Sequence, residues 1–175
     1  MRIDLTRAEE FLRILGFEEQ DEIAFFCRKN ATAENKSFFG SFSQHAAKLK
    51  TLNQDEYCIF YCVNRLKSHR RVKENVVAIT ANFYDCDDGS IRSAPLLKEN
   101  LLVRSKNGDH GYYLRSDYDN LETFTPLQKQ ISKYLETDSS VNDLPRLMRL
   151  PGFVHWKEPS DPFFVDFEYI HSKKY

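Results

Sequence analysis

The chain has 175 residues, room for one domain or for two small lobes around one cleft. With 25 Lys and Arg against 26 Asp and Glu its formal net charge is -1, so bulk charge neither recruits it to a polyanion nor repels it from one, and any basic surface has to be local. Hydrophobic residues at 41% and aromatics at 14% supply a core, 6 Gly and 6 Pro exclude a fibrous or linker-like chain, and no run reaches the ~20 apolar residues of a membrane span.

The amino-terminal stretch carries charges where a secretory leader needs apolar residues, so a cytoplasmic protein is expected. Thr6-x-x-Glu9 has the form of a capping box, Ala8, Phe11, Leu12 and Leu15 follow at helical spacing, and Gly16 stands where a helix stops. A short amphipathic helix is therefore predicted first. Residues 23–27 and 57–63 are rich in aromatic and β-branched side chains and read as strands, with Ser43 capping a helix through Ala46, Ala47, Leu49 and Leu52 between them. Cys27, Cys58, Cys62 and Cys86 lie in or beside apolar segments without a C-x-x-C pair, the pattern of buried reduced thiols rather than of a disulfide framework or a zinc knuckle.

Arg65, Lys67, Arg70, Arg71 and Lys73 place permanent cations between two predicted strands. Such a run is either a solvated loop or a track along a phosphate backbone, in which case binding weakens steeply with salt. Residues 76–84 read as the next strand, 101–105 and 110–114 as a hairpin, and 163–170 as a late strand. Thr125-Pro126, a cap followed by proline at the first helical position, starts a helix with Leu127, Ile131, Tyr134 and Leu135 on one face. The second half is then a sheet with helices packed on it. No internal repeat and no G-x-x-x-x-G-K-[ST] loop is present, so coupling to ATP hydrolysis needs another protein or domain.

Three segments carry candidate chemistry. In 82–89 a hydrophobic strand runs into alternate carboxylates. Strand side chains alternate, so Asp85 and Asp87 share a face and a divalent cation, with hard oxygen ligands favouring magnesium or manganese over zinc. The alternative is a turn in which Asp87 and Asp88 bond their own backbone ahead of Gly89. In 104–113, Asn107-Gly108 is a strong hairpin signal, both turn residues needing positive φ. With that two-residue loop Lys106 faces Asp109, and Ser105 faces His110 at ~5 Å between Cβ atoms, a donor pair suited to phosphate. The plainer alternative has Ser105 ending a strand and His110 bonded to a backbone carbonyl. In 137–157, Asp143-Leu144-Pro145 starts a predicted short helix that puts Arg146 and Arg149 on one face. Pro151-Gly152 ends it and Lys157 follows, an anion clamp in which arginine's planar fork suits phosphate oxygens. Otherwise these arginines pair with surface acids.

Taken in order, these segments resemble the motif set of the archaeo-eukaryotic primase superfamily, the prim-pol enzymes, of the type found in plasmid and phage replication proteins. The family's first motif, a strand ending in D-x-D or D-x-E, corresponds to Asp85 and Asp87. Its second, a serine and a histidine on a hairpin, corresponds to Ser105 and His110. Its third, a hydrophobic residue and Asp, then R-x-x-R, Pro-Gly and a basic residue, corresponds to Asp138, Arg146, Arg149 and Lys157. Thr137 stands where the pattern prefers a hydrophobic residue, which leaves Asp143 as the alternative third acid. The resemblance spans 64–157, is loose before it, and lacks the Cys/His zinc module that many relatives use for initiation.

The resemblance implies an α+β fold: one catalytic domain over 1–175, with an amino-terminal α/β lobe at 1–75 and an RNA-recognition-like antiparallel sheet with flanking helices at 76–175. It implies a DNA primase/polymerase, a template-dependent nucleotidyltransferase adding nucleotides to a 3′-hydroxyl on single-stranded DNA in plasmid or phage-type replication. In that reading Asp85, Asp87 and Asp138 hold two Mg2+ or Mn2+ ions, and Ser105, His110, Arg146, Arg149 and Lys157 hold the nucleoside triphosphate. Arg65, Lys67, Arg70, Arg71 and Lys73 contact the DNA template, and a replicative helicase, separate or fused, is the expected partner, with no membrane involved. Two other readings suit the residues. A metal-dependent nuclease would cleave DNA without nucleotides. A non-catalytic module would bind single-stranded nucleic acid through a basic groove and stacked aromatics such as Tyr112 or Tyr113, with chelator present or absent.

Overall fold

The computed structural model describes residues 2–87, 98–117 and 120–175. Helix α1, Leu5–Ile14, buries Ala8, Phe11 and Leu12, the stripe its spacing predicts. Its cap is Asp4 rather than Thr6: the Asp4 side chain accepts from the Arg7 backbone N–H, and Asp4 N–H donates to Gly152 O at 2.8 Å, which pins the start of the chain. Gly16, at φ 97, follows the helix as expected.

Next come strands β1, Ile23–Lys29, and β2, Glu34–Gly40, helix α2, Phe42–Gln54, and strand β3, Tyr57–Cys62. Strand β2 escapes the sequence reading because an edge strand such as Glu-Asn-Lys-Ser-Phe-Phe-Gly needs only one apolar flank. Ser41, not Ser43, caps α2, in a reciprocal capping box with Gln44. Strands β4, Arg65–Leu66, and β5, Val76–Ala78, form a small ribbon with a 3-10 turn at Lys73–Asn75 before β5. There follow β6, Ala81–Cys86, β7, Leu101–Arg104, β8, Asp109–Leu114, α3, Leu121–Leu135, β9, Leu147–Arg149, β10, Val154–His155, β11, Phe163–Phe164, and β12, Asp166–Tyr169. Helix α3 opens ahead of the predicted Thr125-Pro126 start because Phe124 belongs to its buried face. The helix expected to begin at Asp143 does not form: Arg149 lies in β9, whose backbone bonds go to β3.

Among the described residues two four-stranded antiparallel sheets carry the fold, in the orders β2-β1-β3-β9 and β12-β7-β8-β6. The sequence division at residue 75 is not a spatial one, since β9 from the second half completes the first sheet. Phe11 is the seam: its ring meets Tyr61 of the first sheet and Tyr112 of the second edge-on, each at 5.6 Å, and lies 5.2 Å from Phe167. The four cysteines are buried thiols rather than disulfides, as expected. No helix among the described residues is long and apolar enough to cross a membrane.

Asn53, fully buried at the end of α2, donates to Tyr57 O and to Val154 O at 2.8 Å each and accepts from Val154 N–H at 2.9 Å. It thereby fixes β10 against β3. Asn53→Ala strands three buried backbone groups, so thermal or urea unfolding is expected to show a loss of about 3 kcal/mol; a loss below ~1 kcal/mol would mean those groups find other partners.

Candidate active site

Strand β6 is an edge strand, and an edge needs its outward N–H and C=O groups satisfied. Helix α3 does this with the buried Gln128: its Oε1 accepts from Phe83 N–H at 3.2 Å and from Asn82 Nδ2 at 3.0 Å, and its Nε2 donates to Phe83 O. Two residues on, Asp138 N–H donates to Asp85 O at 3.3 Å. The chain returns there because α3 ends on Glu136 in the left-handed region, φ 56, with Thr137 N–H bonded back to Ser132 O. The same edge therefore brings Asp138 beside Asp85. Asp143 instead pairs with Arg146, Oδ1 to Nε at 2.9 Å.

On its inner side β6 pairs with β8, and Asp85 faces His110, with Oδ1 3.3 Å from Nε2. Val103, not Ser105, stands opposite His110 across the hairpin, and Arg104 faces Asp109. The loop is thus 105–108, closed by Ser105 N–H to Gly108 O at 2.8 Å, and the expected Ser105–His110 pair does not form. Neither Asn107 nor Gly108 has positive φ. Glycine is needed at 108 for a different reason: a Cβ there would collide with the Cys86 carbonyl, so the hairpin tip lies directly on the end of β6. Asp87 is exposed just past that end, and Asp88 and Gly89 fall outside the described residues.

The centre has a negative and a positive side. Burial pushes the Asp85 carboxyl up to about 6, helped by the nearby Asp87 and Asp138 charges and opposed by Arg149 and Arg146. Burial likewise drives His110 down to about 3, reinforced by Arg149 and His155, and the neutral ring's Nδ1 is buried without a partner among the described residues. His155 is also held at about 3, by burial and by Arg149, Lys157 and Lys106, and its Nδ1 is equally orphaned. Burial lowers Arg149 as well, against the pull of Cys58, Asp85 and Asp87. Two orphaned imidazoles ringed by cations suit a polyanion, because its charge and oxygens would satisfy all of them at once.

Of the sequence candidates, the structure gathers Asp85, Asp87, Asp138, His110, Arg146, Arg149 and Lys157 into one electrostatic neighbourhood. Arg146 is held by Asp143 and donates to Ser140 O, while Ser105 sits in the hairpin loop. Sequence reasoning missed His155 and Lys106. His155 has a signal, since it lies two residues before Lys157, whose charge it feels. Lys106 has none; it is tied to Asp161 at 2.9 Å and Glu158 at 3.6 Å across a long sequence gap.

The donor set fits a hard divalent cation: carboxylate oxygens whose mutual repulsion already disfavours the charge on Asp85. The acids are neighbours but not yet a cage, for among the described residues no three His, Cys, Asp or Glu side chains converge to ligating distance. Asp138 accepts from Ser140 N–H at 2.8 Å and from Ser140 Oγ at 2.9 Å, so its carboxylate has to turn to join the others.

Lys67, Arg70, Arg71 and Lys73 are exposed. Arg65 is not available in the same way: it pairs with Asp21 at 2.7 Å, donates to Gly16 O and stacks on Phe17, lining a separate cavity of about 800 Å³ beside α1 and α2. Tyr112 and Tyr113 are buried at 0% and 7% exposure, which removes them as stacking platforms.

No family model and no curated protein matches the chain at the level of sequence. Solved structures do match. The chain is similar to the AEP domain (PP-N190) of the cyanophage S-2L primase-polymerase, at 14% identity and a TM-score of 0.82, covering 100% of this chain and 95% of that one. It is similar to primase RepB′ at 16% identity and a TM-score of 0.70, covering 97% of this chain and 57% of that one. A third likeness is to the catalytic domain of primase RepB′ in complex with initiator DNA, at 17% identity and a TM-score of 0.64, covering 97% and 86%. The chain therefore has the α+β fold of primase-polymerase catalytic domains.

Proposed function

We propose that this protein is a DNA primase/polymerase, a template-dependent nucleotidyltransferase that joins nucleotides to a 3′-hydroxyl on single-stranded DNA in plasmid or phage-type replication. The observation that carries the reading is the backbone bond from Asp138 to Asp85, which sets the first and third motif acids side by side, facing the cationic side around His110 and Arg149. The fold shared with a phage primase-polymerase, and with a primase solved on initiator DNA, supports it.

Asp85, Asp87 and Asp138 would hold two Mg2+ or Mn2+ ions, which when bound would stabilise the attacking and leaving oxygens of the transfer. Arg149 and Arg146 orient the triphosphate with their planar donors, and His110, Ser105 and Lys157 add hydrogen bonds and charge, with His155 and Lys106 beside them. Negative charge grows on the departing pyrophosphate, so donors already in place cost no reorganisation at that moment. A nuclease has no use for such a triphosphate cradle, and a passive binding module has no use for three crowded carboxylates. A helicase, separate or fused, opens the duplex.

The test supplies single-stranded template and all nucleotides with magnesium or manganese, with and without a primer, and follows chain growth on a denaturing gel. Growth dependent on template and metal is expected. Strand cleavage without nucleotides, or no incorporation, would overturn the reading. For the basic loop, the combined change of Arg70, Arg71 and Lys73 to Ala is expected to lower DNA affinity and to flatten its salt slope by about 2, at ~0.7 per phosphate contact on a single strand. An unchanged slope would return that loop to plain solvent.

A further inference from the structure

One face of the first sheet packs on α2 and the core through Phe25, Tyr61 and Met148. The other face carries a cross-strand row, set by register: Ser37 of β2, Phe26 of β1, Phe60 of β3 and Arg149 of β9. Phe26 and Phe60 are only half-buried, whereas their strand neighbours Phe25, Ile59 and Tyr61 are closed off. Their ring centroids lie 6.2 Å apart. A guanidinium bounds each end, Arg71 at 5.6 Å from the Phe26 ring and Arg149 at 5.1 Å from the Phe60 ring, and Arg28 is exposed on the same face. The row ends at the acid centre, since Arg149 feels the charges of Asp85 and Asp87.

We propose that Phe26 and Phe60 form a stacking platform for consecutive bases of the single-stranded DNA template, with Arg71 and Arg28 on its phosphates. Half-buried phenylalanines on a sheet face leave ring surface on which any base can stack without sequence preference, and arginines held over those rings match the backbone's charge. A cross-strand Phe pair could serve the sheet alone. The cations at both ends and the junction with the carboxylates are what a nucleic-acid strand requires and a purely structural pair does not. The identity of the strand as template rests on the polymerase reading; the platform itself does not.

The test measures binding of the full chain to a labelled oligothymidylate and to an abasic strand of equal length, in chelator, across a salt series. Wild type is expected to hold the base-bearing strand about tenfold or more tighter than the abasic one, and Phe26→Ala and Phe60→Ala to lose about tenfold each on the former and little on the latter. The salt slope stays as in wild type, because stacking releases no counterions. Phe60→Trp retains binding and Phe60→Leu does not, which separates stacking from packing, with thermal unfolding as the control for fold. Equal wild-type affinity for both strands, wild-type binding by the Leu variant, or a change confined to nucleotide KM would each sink the platform. Base-dependent binding without chain growth in wild type would instead overturn the polymerase reading and leave the platform standing.

Discussion

Asp85→Asn is expected to abolish primer extension while melting no lower than the wild type. Asp85 combines three features that stability does not favour: it is partly buried, it lies beside Asp87 and Asp138, and the close partner of its carboxylate among the described residues is the neutral His110. An amide of the same shape keeps the contact with the ring and removes the repulsion. What it cannot do is supply an anionic oxygen for a divalent cation. Several kcal/mol of transition-state stabilisation then disappear, which at 1.36 kcal/mol per decade is on the order of 10³-fold or more in rate. Gel-resolved extension together with a thermal melt checks both halves. Appreciable extension would remove Asp85 from the chemistry, and a large fall in melting temperature would make it a structural residue.

Arg149→Ala is expected to raise the nucleotide KM by roughly 10- to 100-fold, the equivalent of one or two charge-assisted hydrogen bonds, while strand affinity falls far less. The guanidinium is pinned on one side by Phe60 at 5.1 Å and feels Asp85 and Asp87 on the other, and it bears on both orphaned imidazoles. Arg149→Lys should recover little, since an ammonium keeps the charge but loses the planar fork that a triphosphate engages. Steady-state extension kinetics beside direct DNA binding make the distinction. Equal losses in both would place Arg149 on the strand instead.

Much of this molecule was legible in local patterns. The apolar stripe of α1, the aromatic runs of β1 and β3 and the buried thiols follow from spacing and composition alone. The order of acids and bases from Asp85 to Lys157 pointed to the fold that the solved structures bear out. The misses share one cause. The helix expected at Asp143 has good local signals, yet pairing of Leu147–Arg149 with β3 satisfies the backbone better than a short, isolated helix could. Asn-Gly at 107 and 108 suggested a tight turn, and contact of Gly108 with the Cys86 carbonyl imposed a wider one. Tyr112 and Tyr113 looked like platforms because alternation cannot say whether both faces of a strand are covered.

By itself the sequence determined which segments could become helices or strands, that the thiols would be inside, and that the acids and arginines would come in a particular order, because those properties depend on neighbours a few residues apart. Tertiary structure decided that Asp138 lies against Asp85, that Arg149 belongs to the first sheet, that His155 joins His110, and that Phe26 and Phe60 stay half-buried under two guanidiniums. Each of those outcomes depends on how distant segments satisfy a strand's edge and share its buried face, and the free energy of that docking is a property of the partners together, not of either stretch of chain alone.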